Sequence, residues 1–346
     1  MEKWKKIFSN SVTDAQELKK LFKIDEEEIN RIIERYPMRI NPYYFSLIKA
    51  KGDPVWRQCI PHPKEMRDQK DDADPLREEL HSPIFGLIHR YHDRVLLLVS
   101  NMCATYCRFC TRKRKVGKEY KTLKDEDFQK AIQYIKSHKE IRDVILSGGD
   151  PLLLENKRLE AYIKRIRNIK HVEIIRIDSR TPCTLPQRIT PRLCNMLKKY
   201  SPIYFLTHFN HPIEITKEAK IACEMLADSG MVMGNQSVLL KGVNDNPQVL
   251  KKLGEELLKI KVRPYYIFIP DAVMGTRHFR VPIKRATKIM RGVIGHTSGL
   301  AIPKLIIDLE NGGGKLPLSP IYIKKKEGKK YTFRNFEGKL FPYTDV

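Results

Sequence analysis

From Arg94 onward short apolar, β-prone runs alternate with amphipathic stretches six times over, and that rhythm limits the folds open to this chain. The extended runs fall at residues 94–100, 143–147, 172–178, 203–208, 232–238 and 262–269. Helical spacing of apolar residues fills the gaps, at 125–138, 155–168, 191–199, 214–229 and 247–259. Units of about 30 residues built this way wind into a parallel sheet, because a parallel crossover needs a helix's length of chain. The predicted fold class is α/β, a partial (β/α)6 TIM-like barrel with an N-terminal helical extension. In such a barrel the reactive groups collect just past the C-terminal ends of the strands. Upstream, residues 13–35 carry Leu18, Leu21, Phe22, Ile29, Ile32 and Ile33 at helical spacing. Residues 36–88 are Pro-rich and charged and read as a connecting arm rather than core. The expected organisation is an N-terminal helical and arm region (1–88), a barrel core (89–301) and a C-terminal segment (302–346).

Directly after the first strand stand Cys103, Cys107 and Cys110, spaced C-x3-C-x2-C. Three thiolates that close together hold three corners of a 4Fe–4S cluster and leave the fourth iron without a protein ligand. An open iron suits a small chelating molecule better than simple electron transfer. Zinc is the bland alternative, but closed zinc sites want four N/S ligands, usually in two pairs, and no second pair follows. The spacing resembles that of the radical S-adenosylmethionine (SAM) enzymes, in which the methionine amino and carboxylate groups occupy the open iron. The second strand ends in Ser147-Gly148-Gly149-Asp150-Pro151, where two glycines let a backbone come close to a ligand. In radical SAM enzymes a Gly-Gly-acidic segment here binds the methionine amino group, which makes Gly148, Gly149 and Asp150 cofactor-binding candidates by resemblance.

The bulk numbers narrow the setting. With 65 Lys and Arg against 41 Asp and Glu, the net charge is +24, and the cations are spread along all 346 residues, often mixed with Glu. The densest run, Arg112-Lys113-Arg114-Lys115, follows the cysteines, where an anionic ligand needs partners. No aromatic-studded RNA-binding motif is visible, so nucleic acid is not an expected partner. No apolar run approaches the ~20 residues of a membrane span, and no signal peptide is visible at the start. Cys59, Cys183, Cys194 and Cys223 are scattered and do not form a disulfide framework, which fits a reduced cytoplasm.

Gly312-Gly313-Gly314-Lys315 follows the apolar strand at 305–309. A flexible turn is the bland reading. Walker-type phosphate binding is not expected, since Leu316-Pro317 supplies neither the hydroxyl nor the helix. The sharper reading is a lysine exposed by glycines to form a Schiff base with pyridoxal phosphate (PLP). Upstream, His89-Arg90-Tyr91-His92-Asp93-Arg94 offers arginines and a tyrosine for a phosphate monoester.

Taken in order, these motifs resemble one family from about residue 50 to the C-terminus. They are joined by Ser179-Arg180-Thr181-Pro182, Thr207-His208-Phe209-Asn210-His211-Pro212, Gly234-Asn235-Gln236-Ser237, Arg263-Pro264-Tyr265-Tyr266, His278-Phe279-Arg280 and His296-Thr297-Ser298-Gly299. The chain is similar to the lysine 2,3-aminomutases, PLP-dependent radical SAM enzymes. That resemblance implies an isomerase that moves the amino group of L-lysine from C2 to C3, giving β-lysine. It implies a 4Fe–4S cluster on the three cysteines, SAM, and PLP on Lys315, held by Arg90, Tyr91 and Arg94. Arg112 is implied as the clamp on the substrate carboxylate, with His208 and Gln236 as SAM-contacting positions. Two acids, Asp271 and Asp308, stand where the family grips the distal ammonium of lysine. An electron donor such as flavodoxin or ferredoxin, and a homo-oligomer, are implied as partners. Two departures stand out. The cysteine-rich stretch of zinc-binding members is missing and Asn246 replaces a cysteine, so zinc is not expected. The lysine loop begins Leu309-Glu310-Asn311 rather than Ala-Pro-Gly. The alternatives are a relative that makes β-lysine for translation elongation factor P, an aminomutase for another amino acid, or a basic metal-binding protein that contacts RNA.

Overall fold

The computed structural model describes residues 2–67, 70–118 and 123–346. Nine strands form one curled, open sheet in chain order: β1 Leu87–Tyr91, β2 Arg94–Ser100, β3 Asp143–Gly148, β4 Ile174–Asp178, β5 Ile203–Thr207, β6 Met231–Val238, β7 Arg263–Phe268, β8 Lys304–Leu309 and β9 Gly314–Leu318. Strands β2 to β8 run parallel, while β1 and β9 pair antiparallel with β2 and β8 at the two edges. The chain thus adopts the expected α/β partial barrel, with the six expected strands as β2 to β7. The C-terminal apolar run adds a seventh parallel strand, β8, reached through the helix Ile283–Arg291. Strands β10 Ile323–Glu327, β11 Lys330–Arg334 and β12 Leu340–Thr344 make a separate antiparallel sheet.

Alternation along the strands decides what faces the core and what faces the site. In β2, Val95, Leu97 and Val99 are buried, whereas Arg94, Leu96, Leu98 and Ser100 on the opposite face are partly accessible. The buried set joins Phe128, Ala131, Ile132 and Ile135, which lie at i, i+3, i+4 and i+7 on the helix Asp125–Ser137. Each such large aliphatic or aromatic side chain removed from water stabilises by ~1.5–3 kcal/mol. That drives the helices onto the convex face and leaves the concave face to carry Arg94 and Leu96 into a cavity.

Two upstream expectations need correction. Residues 13–35 are not one helix: Ala15–Lys19 and Glu26–Arg35 are separate, each begun by an aspartate, Asp14 or Asp25, accepting from a backbone N–H at 3.0 Å. A side-chain cap satisfies an orphan donor and fixes a helix start, so Asp25 restarts the chain. Residues 36–88 are not an arm outside the core either. Ile40, Tyr44, Val55, Trp56, Cys59 and Ile60 are buried in the same apolar cluster as the barrel strands. Backbone bonds from Tyr106 to Arg39 and from Arg108 to Gln58, both 2.9 Å, stitch this segment to the cysteine loop.

Beneath that loop lies a buried charge cluster. Glu65 is fully buried and accepts from Arg108 Nε at 3.0 Å, from Arg108 Nη2 and from Lys113 Nζ. Burial works against the Glu65 carboxylate, yet the charges of Arg108 and Lys113 together hold it at about 2. Burial pulls the Lys113 ammonium down to about 8, because it faces a single carboxylate and a neighbouring guanidinium. Removing one partner of a buried ion pair strands the others, so Glu65→Ala is expected to lower the unfolding free energy by ~3–5 kcal/mol in urea titration. The depressed Glu65 pKa also fixes the sign of the acid limb. Its stabilisation is complete above the unfolded-state value near ~4.3 and is lost as pH falls toward 2, so the difference between wild type and Glu65→Ala should shrink over that window.

Candidate active site

The three cysteines leave β2 at its C-terminal end, in the position the barrel reserves for chemistry. Arg180, at the end of β4, donates from Nη1 to Cys107 Sγ at 2.7 Å. Its Nη2 is held by Tyr44 Oη at 3.0 Å, Gln58 Oε1 at 2.6 Å and Glu214 Oε1 at 2.8 Å. Burial pushes up the thiols of Cys103 and Cys110, the latter to about 11. Thiols whose burial outweighs the nearby charges of Arg180, Arg112 and Lys113 are a donor set that a cationic iron–sulfur cluster suits. Among the described residues no group of three His, Cys, Asp or Glu side chains is placed to hold a single metal ion. A cubane, which gives each thiolate its own iron, does not ask for that convergence.

Gly148 and Gly149 line a cavity beside the cysteine loop together with Ser100, Asn101 and Arg112. Gly148 has φ +118, and a Cβ there would meet Ser100 O at 2.4 Å; a Cβ on Gly149 would meet Met102 O at 2.4 Å. These glycines let β3 pack directly on the entry to the cysteine loop. Asp150 is buried and accepts four hydrogen bonds, from Ser179 Oγ at 2.7 Å, Leu152 N at 3.0 Å, Arg180 N at 2.9 Å and Thr181 N at 3.0 Å. A carboxylate has about four acceptor sites, so Asp150 is spent on shaping the turn that carries Arg180. The polar groups left open lie nearby: His208 Nε2, Thr181 Oγ1, Thr207 Oγ1 and Arg180 Nε have no hydrogen-bond partner among the described residues. His208 stacks on Phe109 of the cysteine loop, ring centroids 5.6 Å apart. Burial and the Arg180 charge hold its imidazole well below the usual histidine range. Open buried donors and acceptors beside three thiols fit a polar ligand such as SAM.

The remaining candidates converge inside the barrel. A cavity of about 330 Å³ is lined by Arg90, Tyr91, Arg94, Arg112, Gln236, Asp308 and Lys315. The β8–β9 hairpin sets Lys315 directly opposite Asp308. Its turn runs through Asn311, Gly312 and Gly314 at φ +55, +81 and +86, which explains the glycines. Lys315 Nζ lies 2.8 Å from Asp308 Oδ2, and Arg90 Nη2 lies 2.6 Å from Asp308 Oδ1. Tyr91 Oη accepts from Arg90 Nη2 at 2.8 Å and from Lys315 N at 3.1 Å, and the Arg94 guanidinium lies 4.0 Å from the Tyr91 ring centre. Two guanidiniums, a phenol and a primary amine on one wall fit the phosphate and aldehyde of PLP. Asp271 lies apart from this wall, in an adjoining cleft that also exposes Asp308, and accepts from Thr111 Oγ1 at 2.8 Å. Gln236 lines the barrel cavity and follows Asn235 of β6, which pairs with Thr207 of β5, so it stands beside His208 at the end of the neighbouring strand.

Several residues escaped the sequence reading. Asp178 and Arg176 project from β4 into the cavity; burial pushes Asp178 up to about 6, and its Oδ1 has no hydrogen-bond partner among the described residues. The basic run after the cysteines was expected to await anionic ligands. Instead Arg112 pairs with Glu78, Lys113 with Glu65, Arg114 with Asp74, and Lys115 approaches Glu79 at 3.5 Å. The signal was present as charge complementarity between residues 65–79 and 112–115, but no spacing rule links segments that far apart.

The family description Lysine-2,3-aminomutase matches residues 290–346, and that of the Radical SAM superfamily matches residues 97–253. An L-lysine 2,3-aminomutase from Fusobacterium nucleatum is 49% identical over 99% of this chain and 82% of its own length. One from Acetoanaerobium sticklandii is 48% identical over 99% and 84%. A glutamate 2,3-aminomutase from Clostridioides difficile is 43% identical over 99% and 82%.

The role found for Asp150 can be tested without any ligand. Asp150→Asn turns one accepting oxygen into a donor facing backbone N–H groups. It should lower the unfolding free energy by roughly 2–4 kcal/mol in denaturant titration, the cost of buried donors left unmatched.

Proposed function

The chain belongs to the lysine 2,3-aminomutase family of radical SAM isomerases, and from that premise we propose that it converts L-lysine to β-lysine. Its cofactors are a 4Fe–4S cluster, SAM and PLP. Cys103, Cys107 and Cys110 would hold the cluster; His208 and the open groups around Arg180 would contact SAM; Arg90, Tyr91, Arg94 and Lys315 would hold PLP. When bound, the cluster and SAM supply a carbon radical that takes and returns a substrate hydrogen, while PLP carries the migrating nitrogen. The residues of this chain bind and orient. Arg112 would take the substrate carboxylate, and Asp308 and Asp271 the distal ammonium. Enclosure within the barrel keeps water from the radical and holds one C–H bond in reach. A low-potential one-electron donor of the flavodoxin or ferredoxin kind completes the proposal. Among the described residues no helix is long and apolar enough to cross a membrane.

The observation that carries lysine over glutamate is the pair of acids, buried Asp308 and partly accessible Asp271, that line one cleft. Asp308 is engaged by cations, and Asp271 is close enough for the Asp308 charge to raise its pKa. A second carboxylate on the substrate would be repelled there, whereas an ammonium is drawn in. The direct test is anaerobic. Enzyme reconstituted with iron and sulfide receives PLP, SAM, dithionite and either L-lysine or L-glutamate, and products are read by NMR. Many turnovers to β-lysine with SAM conserved is the expected result. β-Glutamate alone, or SAM cleavage with neither product, would reject lysine as substrate.

The acid limb of the pH profile follows from Asp271. Burial pushes its carboxyl up to about 6, opposed by the Thr111 hydroxyl and the charges of Lys315 and Arg90, and reinforced by Asp308. Only the ionised form attracts an ammonium, so kcat/KM for lysine should fall as pH drops through about 6. Asp178 titrates in the same range, so the assignment needs a variant. Asp271→Asn should remove this part of the limb and raise KM for lysine by roughly 10- to 100-fold, the loss of one buried charge-assisted contact.

A further inference from the structure

The segment 72–79 lines the cavity through Leu76 and Glu78 and ties together the loops of Asp271, Lys315 and Arg112. Met274 N donates to Asp72 O at 2.9 Å, joining the segment to the loop of Asp271. Asn311 N donates to Pro75 O at 2.8 Å and Arg77 Nε to Asn311 Oδ1 at 3.0 Å, joining it to the Lys315 turn. At its far end Glu78, only 5% exposed, meets Arg112 side-on, with Nε to Oε2 at 3.2 Å and Nη2 to Oε1 at 2.7 Å. The segment is itself pinned. Arg114 Nη2 reaches Asp74 at 2.9 Å and Glu78 at 3.5 Å, while Asp74 Oδ1 accepts from Glu78 N at 3.1 Å. Burial raises the cost of ionising Glu78, but Arg112, Arg114 and Lys115 outweigh it and hold its pKa below the usual range.

We propose that Glu78 is a positioning and specificity residue that aims Arg112 at the α-carboxylate of the substrate, an inference that rests on Arg112 being the carboxylate clamp. A guanidinium carries five N–H groups in a rigid fork. Glu78 occupies the Nε/Nη2 edge, and the Nη1 end remains for a second carboxylate in the cavity that Arg112 and Glu78 both line. Arg90, Arg94 and Arg176 share the cavity with Arg112, and the other acid whose charge reaches Arg112, Asp178, makes no hydrogen bond to it, so Glu78 is the contact that fixes its rotamer. Glu78 also offsets one positive charge, so that the pocket prefers a single substrate carboxylate to any passing anion.

The test compares two ligands on PLP-loaded enzyme: L-lysine, and 1,5-diaminopentane, which keeps both amines and lacks the carboxylate. Binding is followed by calorimetry without SAM, and turnover of lysine with SAM. Glu78→Gln should raise the lysine dissociation constant and KM about tenfold, as for one weakened charge-assisted contact, with kcat within about twofold. Diaminopentane binding should be unchanged, which also shows the variant to be folded. Glu78→Asp, which keeps the charge one methylene shorter, should give a smaller loss for lysine alone. Equal weakening of both ligands in both variants, no change for lysine, or tighter lysine binding would each overturn the proposal. Arg112→Lys separates the two readings. If it leaves lysine affinity intact, the clamp assignment fails; if it weakens lysine while Glu78→Gln does not, only the role of Glu78 fails.

Discussion

The buried contact of Glu65 with Arg108 and Lys113 is the interaction on which the rest of the site depends. Arg108 sits between two of the cysteines, and it also donates to Pro37 O at 2.9 Å and Tyr36 O at 3.2 Å. Lys113 adds bonds to Arg108 O at 2.9 Å and Gly275 O at 3.1 Å. One carboxylate from the N-terminal segment therefore fixes the cysteine loop, the start of the basic run and the loop that follows β7. A buried carboxylate is tolerated only when fully matched, so the geometry leaves little freedom for the thiols to drift.

The same logic recurs outward from the cluster. Glu214 accepts from Tyr44, Gln58 and Arg180 on one oxygen and from the backbone of Asn210 and His211 on the other. Asp150 organises the turn that begins at Ser179, and together these acids hold Arg180 against Cys107. The radical chemistry of this family demands such rigidity, because a carbon radical reacts with whatever lies closest. The +24 net charge thus conceals a site in which Arg90, Arg112, Lys113, Arg114 and Lys315 are all paired with acids of the same chain.

Much of this was legible in the chain itself. Strand–helix alternation placed β2 to β7, and the cysteine spacing placed the cluster loop at the end of the first parallel strand. Glycines at 312 and 314 marked a turn with positive φ, and the hairpin they close carries Lys315 as expected. Other readings failed for identifiable reasons. Residues 36–88 looked like an arm because proline and charge are local signals, while their burial is a long-range outcome. Gly148, Gly149 and Asp150 were legible as residue types, but only the fold shows the glycines packed on the entry to the cysteine loop and lining a cavity there, and Asp150 accepting from Ser179.

The sequence by itself determined the local terms: the period of the apolar residues, the thiol spacing, the turn that a run of glycines permits. These depend on neighbours within a few residues, so they can be read in order along the chain. Only the tertiary structure decided which acid meets which cation. Glu78 meets Arg112, Glu65 meets Arg108 and Lys113, and Asp308 meets Arg90 because the curl of the sheet and the wrap of the N-terminal segment bring distant positions within 3 Å. Coulomb attraction strengthens as water is excluded, so those pairings acquire their energy only once the fold has buried them.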